Sequence, residues 1–160
     1  MREEDNKMGT SKIHSSILSA KLMLALANEK GYVLNVTKVQ KLMYIVYGYF
    51  LAKADVVIFD ESPKAWPFGP VFPKTRKKVN FGKVYDKNNP EFQEIVKDEN
   101  LVNVMTSIIE KYAKYSATTL SDWSHTEGGP WYKTTKEEGF NWNMPIKNEY
   151  IKQYFSEINI

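Results

Sequence analysis

Residues 65–73 read Ala-Trp-Pro-Phe-Gly-Pro-Val-Phe-Pro and constrain the fold of this chain more than any other stretch. Proline fixes φ and lacks a backbone N–H, so three prolines exclude the interior of a helix or of a central strand. Residues before proline are held extended, and Gly69 is free to adopt angles that other residues avoid. The stretch is therefore predicted to be a stiff, kinked ribbon, whose Trp66 either fills the core or meets a partner.

The composition is that of an ordinary globular protein. A length of 160 residues favours one domain with a sizeable core, and 42% hydrophobic with 26% charged residues is typical of soluble proteins. No apolar run is long enough to span a membrane, and residues 1–5 do not resemble a signal peptide, so we expect a cytoplasmic protein without membrane contact. The absence of cysteine excludes disulfides and thiolate chemistry.

Apolar residues recur at helical spacing along most of the chain. The pattern predicts helices near residues 11–30, 37–50, 73–80, 101–112, 117–124 and 151–158, with a further turn from Pro130. Residues 56–59 are β-branched or aromatic and are predicted to pair with residues 64–66. We expect a mainly α fold, a single compact domain over residues 10–160 with about six helices and a small β-hairpin near residues 56–66. Residues 1–9 are polar and are predicted to be disordered.

The second predicted helix carries three further predictions. Thr37 and Gln40 have the spacing of a capping box, which would place the start of the helix at Thr37. Gly48 costs about 1 kcal/mol relative to alanine inside a helix, so it predicts close packing against another element. Tyr44 belongs to a row of aromatic residues at helical spacing, which is more often core than a ligand site.

Residues that could support catalysis or metal binding are few. The two histidines, His14 and His125, are far apart, and the chain contains no phosphate-binding glycine loop or dinucleotide fingerprint. Ser121 and His125 lie four residues apart and could touch on one helical face, but no third orienting group is recognisable. We therefore predict a protein that is not an enzyme and holds no metal or cofactor.

Positive charge is concentrated in one short segment without acidic residues. Its members are Lys74, Arg76, Lys77, Lys78 and Lys83. The cluster is read as the solvated face of a helix, as a patch for an acidic protein, or as a contact for nucleic-acid phosphates. Because aromatic residues make up 14% of the chain and such residues dominate binding hot spots, the sequence favours a binding module.

Several segments together resemble the Panacea domain of SocA-like, phage-associated bacterial antitoxins. They are residues 37–44, Phe59-Asp60-Glu61, residues 65–71, and the stretch from Leu120-Ser121 through His125 to Pro130-Trp131. Their order and approximate spacing are similar to those of the family over residues 10–158. The Trp-Pro-Phe-Gly-Pro-Val element is the most specific of them.

The resemblance implies a mainly helical antitoxin that neutralises a cognate toxin, encoded adjacently, by direct protein contact, and that in some members delivers the toxin to a protease. It implies a set of partner-binding or family-motif residues: Gln40, Lys41, Tyr44, Trp66, Pro67, Phe68, Gly69, Pro70, His125, Pro130 and Trp131. The alternative is a DNA-binding transcriptional regulator that uses the basic helix after Pro73, although nucleic acid is the less favoured partner.

Overall fold

The structure is a computed structural model that describes residues 12–160. In chain order its elements are α1 (Ser16–Glu29), α2 (Val36–Ala54), β1 (Lys64–Trp66), β2 (Gly69–Val71), α3 (Pro73–Lys78), α4 (Glu99–Tyr112), α5 (Ala117–Ser124), α6 (Pro130–Thr135) and α7 (Asn148–Glu157), with 3-10 turns at Pro90–Phe92 and Ile95–Lys97. The prediction of a mainly helical single domain with a small hairpin is confirmed. The predicted disorder of residues 1–9 lies outside the described residues.

Helix α2 is the centre of the molecule. Every residue from 39 to 48 is buried, and a helix that is buried on all sides must be surrounded by other elements. It packs against α1, α4, α5, α7 and β2. Gly48 allows α7 to approach α2 closely, because a Cβ there would lie 2.2 Å from the ring of Phe155 in α7. The close packing that the sequence predicted at Gly48 is confirmed.

The start of α2 differs from the predicted capping box. Asn35 is the N-cap, and its side-chain oxygen accepts a hydrogen bond from the Lys38 N–H at 2.8 Å. Asparagine is a preferred N-cap residue, so the helix begins at Val36, before Thr37. The capping-box prediction was wrong. Gln40 does not cap the helix, and its side chain makes the other contacts described below.

The hairpin lies further along the chain than predicted. Its strands are β1 and β2, paired antiparallel with Lys64 opposite Val71 and Trp66 opposite Gly69. Of the predicted first strand, residues 56–59, only Phe59 is in a β-bridge, and its partner is His14. Pro70 fits a two-stranded sheet because proline tolerates an edge position that needs no N–H donor.

The later helices follow the sequence pattern closely. Helix α4 buries Leu101, Val104, Met105, Ile108 and Ile109 along one side, as their spacing predicts. Helix α5 begins after Ser116, whose hydroxyl accepts from the Thr119 N–H at 3.0 Å. Within residues 12–160 no helix is long and apolar enough to cross a bilayer.

Two adjacent carboxylates fasten the N-terminal ends of α1 and α3. Asp60 accepts from the Ser16 N–H at 2.9 Å and pairs with the Lys74 ammonium at 3.3 Å. Partial burial would raise the pKa of Asp60, but the Ser16 hydrogen bond and Lys74 outweigh it and lower that pKa. Glu61 accepts from the Ser16 hydroxyl, from the Lys74 N–H, and from both the N–H and the hydroxyl of Thr75. Carboxylates at helix N-termini are favoured by the unpaired amides there.

Candidate functional site

The hairpin turns through Pro67 and Phe68, and Gly69 makes the turn possible. Gly69 has φ +114°, a backbone conformation that residues with a side chain rarely adopt. A Cβ at this position would also lie 2.5 Å from the Ser124 hydroxyl of α5. The turn therefore requires glycine for two reasons, its backbone angle and its close approach to α5.

The backbone of the hairpin tip has more acceptors than donors, because Pro67 and Pro70 have no N–H. Side chains from three helices donate to its carbonyl oxygens. The Lys41 ammonium of α2 donates to Pro70 O at 3.1 Å and the Ser121 hydroxyl of α5 donates to Phe68 O at 2.9 Å. The Trp131 indole of α6 donates to Trp66 O at 2.8 Å. These contacts fix the main chain of the tip without involving the Phe68 side chain.

His125, the C-cap residue of α5, completes this set. Its Nε2 lies 3.0 Å from Pro67 O, and its Nδ1 lies 2.5 Å from Ser121 O. A carbonyl oxygen can only accept, so both contacts are hydrogen bonds only when both ring nitrogens carry a proton. The ring also packs edge-on against Trp131, with centroids 4.1 Å apart. We refer to Lys41, Ser121, His125 and Trp131 as the carbonyl clamp.

Gln40 holds the chain just beyond the hairpin. Its side-chain oxygen accepts from the Phe72 N–H at 2.6 Å, and its amide nitrogen donates to Phe72 O at 3.4 Å. The buried side chain thus pairs with Phe72 as a neighbouring strand would. The Phe72 ring is fully buried against Tyr47 and Phe59, with centroids 5.8 and 5.9 Å away. Phe72 is therefore the core anchor of the ribbon.

Lys41 is an unusual member of the clamp because its ammonium is buried. The side chain is 1% exposed, and desolvation lowers the pKa of Lys41 to about 8. A charged donor makes a stronger hydrogen bond to a carbonyl than a neutral one. The Lys41 ammonium therefore makes a strong hydrogen bond to the Pro70 carbonyl, although burying its charge costs free energy.

The other edge of β1 is covered by the loop before α7. Ala65 donates its N–H to Met144 O at 2.9 Å and accepts from the Asn143 N–H at 2.8 Å. The Trp66 indole donates to the Asn143 side chain at 2.8 Å, and the Arg76 guanidinium lies 5.4 Å from the Trp66 ring centre. Trp66 is half-buried, so its ring neither fills the core nor lies fully in solvent.

Two exposed and three half-buried aromatic rings lie at or near the clamped tip. Phe68 is 60% exposed, and Trp142, beside Asn143, is 53% exposed. The Trp142 ring lies 6.3 Å from that of Trp131 and 4.9 Å from that of Phe140. We call Trp66, Phe68, Trp131, Phe140 and Trp142 the aromatic surface. Large rings on a rigid backbone are typical of protein-binding hot spots.

Two predicted site residues lie away from the tip. Tyr44 is buried in the core, where its ring packs on Phe155 at 5.3 Å and on Trp123 at 5.9 Å. Burial, with a smaller effect from Tyr154, raises the pKa of Tyr44 well above its usual range. Pro130 occupies the first turn of α6, where its missing N–H is not needed, and so helps to place Trp131. The expectation that Tyr44 is core is confirmed.

The basic cluster is divided among different contacts. Lys74 pairs with Asp60, Arg76 stacks on Trp66, and the Lys83 ammonium lies 5.3 Å from the centre of the Tyr85 ring. Lys77 and Lys78 are exposed and make no ion pair within residues 12–160. Three of the four cluster cations that have no carboxylate partner in the described residues, Arg76, Lys77 and Lys78, thus lie in the last turn of α3.

The geometry does not assemble the nucleophile and base considered from the sequence. Both ring nitrogens of His125 face carbonyl oxygens, and the Ser121 hydroxyl is directed at Phe68 O. In the part of the chain that the structure describes, no three His, Asp or Glu side chains are grouped to hold a metal ion.

Asn143, Trp142 and the clamp role of Ser121 were missed by sequence reasoning. The partners of Asn143 and Ser121 lie 77 and 53 positions away in sequence, and Trp142 contacts Phe140 and Trp131 without a periodic spacing, so no local pattern marks these three residues. Asn143 has φ +78°, which asparagine tolerates better than most residues, but this too is visible only in the structure.

Comparison with known proteins assigns the part of the chain that contains the hairpin and the carbonyl clamp to one family. The model of the family described as "Antitoxin SocA-like, Panacea domain" matches residues 39–132, which include β1, β2 and the whole carbonyl clamp. The chain is also similar to Antitoxin SocA of Caulobacter vibrioides (strain NA1000 / CB15N), with 26% identity over 129 residues, covering 72% of this chain and 69% of the relative. No solved structure matches the chain significantly.

Proposed function

Because this chain belongs to the SocA-like, Panacea-domain antitoxin family, we propose that it neutralises a cognate toxin by binding it directly. The partner is a protein encoded beside it, and the contact surface is centred on Phe68. The observation that carries this proposal is a hairpin tip whose main chain is clamped while its aromatic side chain is 60% exposed.

The clamp favours tight binding because the tip is ordered before the partner arrives. Association loses less free energy when the binding loop has no conformational freedom left to lose. Nanomolar affinity corresponds to about −12 kcal/mol, which a standard interface of about 1,600 Å² reaches with a few well-packed aromatic residues. The aromatic surface offers such residues around Phe68.

The first prediction tests Phe68 in cells. Phe68→Ala should abolish rescue of growth when co-expressed with the toxin, because the ring that enters the partner is gone. Its melting temperature should stay within about 2 °C of wild type, because the clamp binds Phe68 O and not the ring. Growth curves and thermal unfolding of the purified variant measure the two effects.

Tyr115→Ala is the matched control, since it removes another exposed ring, one that packs on Tyr112. This variant should rescue growth as wild type does. Full rescue by Phe68→Ala would show that the tip is not the binding surface.

The same co-expression separates two ways of neutralising a toxin. If the antitoxin only covers the toxin's active surface, the amount of toxin on a blot stays constant when the antitoxin is present. If it delivers the toxin to a protease, the amount falls and recovers in a protease-deficient host.

The structure offers less support for the alternative of a DNA-binding regulator. Helix α3 has only six residues, and of its four cations Lys74 is paired with Asp60 and Arg76 lies over Trp66. The three cations that have no carboxylate partner within residues 12–160, Arg76, Lys77 and Lys78, give a small phosphate-binding patch compared with the six to ten contacts, roughly, that produce steep salt dependence. Binding without catalysis remains our proposal for this chain.

A further inference from the structure

Helix α3 carries positive charge close to the hairpin tip. The helix begins at Pro73, and its N-cap, Phe72, directly follows the end of β2 at Val71. Six helical residues rise only about 9 Å, so the whole of α3 stays close to the end of the hairpin. Arg76 demonstrates this directly, because its guanidinium lies 5.4 Å from the centre of the Trp66 ring.

The charges at the end of α3 are not neutralised by carboxylates within residues 12–160. Asp60 and Glu61 bind the other end of the helix through Lys74 and Thr75. Lys77 and Lys78 are exposed and have no acidic partner within residues 12–160. A helix C-terminus carries about half a negative charge, so three cations in the last turn exceed what the helix dipole requires.

Resting on the proposed function, we propose that the toxin surface that receives the tip combines an apolar pocket for Phe68 with carboxylates that face Arg76, Lys77 and Lys78. The hairpin ring provides the apolar contact, and α3 supplies the complementary charge beside it. Complementary charges at the edge of an interface mainly accelerate association and select the partner. The partner is therefore an acidic protein face.

A single-stranded nucleic acid is the competing occupant of an aromatic and basic surface. Such partners need successive rings with free faces along a continuous row of cations. Here the Trp66 ring has Arg76 over it, the Lys74 charge is taken by Asp60, and the net charge of the whole chain is only +3. These observations favour the acidic protein.

Association kinetics with the toxin encoded beside this chain test the proposal. We would measure kon and koff at 20 and 300 mM NaCl for wild type, for the double variant Lys77→Glu/Lys78→Glu, and for the control Lys53→Glu/Lys97→Glu. The control makes the same change in net charge at exposed lysines at the end of α2 and in the second 3-10 turn.

Wild-type kon should fall at least tenfold between the two salt concentrations. The Lys77→Glu/Lys78→Glu variant should lose about tenfold in kon at 20 mM NaCl and most of the salt dependence, with koff within threefold of wild type. The control should stay within threefold of wild type in kon.

Two results would overturn the proposal that the toxin presents an acidic face. The first is that the α3 variant and the control have equal kon while wild type still binds and neutralises the toxin. This result would leave the proposed function unaffected. The other is binding of a 20-nucleotide single-stranded DNA that the α3 variant loses while its kon for the toxin is unchanged. Failure of wild type to form any complex, at either salt concentration, would instead remove the proposed function itself.

Discussion

Lys41 shows what the clamp demands of a single residue. Its ammonium is buried beneath the hairpin and donates to Pro70 O, so the charged form lacks most of the water that would stabilise it. Burial lowers the pKa of Lys41 to about 8, whereas a lysine in the unfolded chain has a pKa near 10.4. Between these two values the unfolded state binds more protons than the folded state, so stability rises as the pH increases.

The second prediction follows from this difference in pKa. Lys41 by itself should add about 1.5 kcal/mol to the free energy of unfolding between pH 8 and pH 9.5, and Lys41→Met should lose this contribution. Urea denaturation at the two pH values measures it. Lys53→Met, which removes an exposed lysine from the same helix, should keep the wild-type increase. Equal pH dependence in Lys41→Met and wild type would contradict the assignment of the effect to Lys41.

The hairpin is an element that depends on other elements for its order. Two three-residue strands are only marginally stable alone. Here the tip is held by the carbonyl clamp, the core anchor Phe72 is held by Gln40, and the free edge of β1 is paired with Met144. The helices thus supply the donors that a proline-rich strand pair lacks.

The third prediction concerns this dependence. Trp131→Phe keeps an aromatic ring but removes the N–H that donates to Trp66 O. A lost hydrogen bond of this kind costs about 1 kcal/mol, so amide hydrogen exchange in residues 64–72 should accelerate several-fold while α4 stays unchanged.

Trp142→Phe is the control for that experiment, because it makes the same chemical change in an exposed ring next to Trp131. Its exchange rates in residues 64–72 should match those of wild type. Unchanged exchange in Trp131→Phe would show that the indole bond does not hold the hairpin.

At the scale of the whole molecule, α2 connects the clamp to the core. Gln40 and Lys41 hold the ribbon from the first half of the helix, and Gly48 in its second half packs on Phe155 of α7. A perturbation at Gly48 should therefore reduce the stability of the whole domain.

The fourth prediction is that Gly48→Ala destabilises the protein. Alanine gains up to about 1 kcal/mol in helix propensity, but a methyl group 2.2 Å from the Phe155 ring forces overpacking that costs about 1–3 kcal/mol. We expect a net loss of about 1–2 kcal/mol in a single unfolding transition, measured by urea denaturation.

Gly82→Ala is the matched substitution, because a Cβ there meets only Asn80 Oδ1, at an ordinary 3.5 Å. It should be neutral or slightly stabilising, since alanine reduces the freedom of the unfolded chain. A loss of stability as large as that of Gly48→Ala would show that close packing is not the cause.

Local patterns in the sequence determined much of this architecture. The apolar spacing predicts α4 with its buried side and α5 over residues 117–124, and the prolines of residues 65–73 predict a stiff ribbon outside any helix. These features depend on interactions between residues a few positions apart, which is why one sequence is enough to find them. The predicted pairing of residues 56–59 with residues 64–66 was wrong. Residues 56–59 have strand propensity, but β2 pairs with β1 in their place.

Only the tertiary structure decided what the motif residues do. The clamp joins carbonyls of the tip to side chains 29, 53, 58 and 65 positions away, and no periodic pattern encodes such pairings. Because proline removes backbone donors, the tip needed hydrogen bonds from elsewhere, and the packing of α2, α5 and α6 determined which side chains supply them. The same packing left Phe68 exposed and Phe72 buried, although both are phenylalanines of one short ribbon.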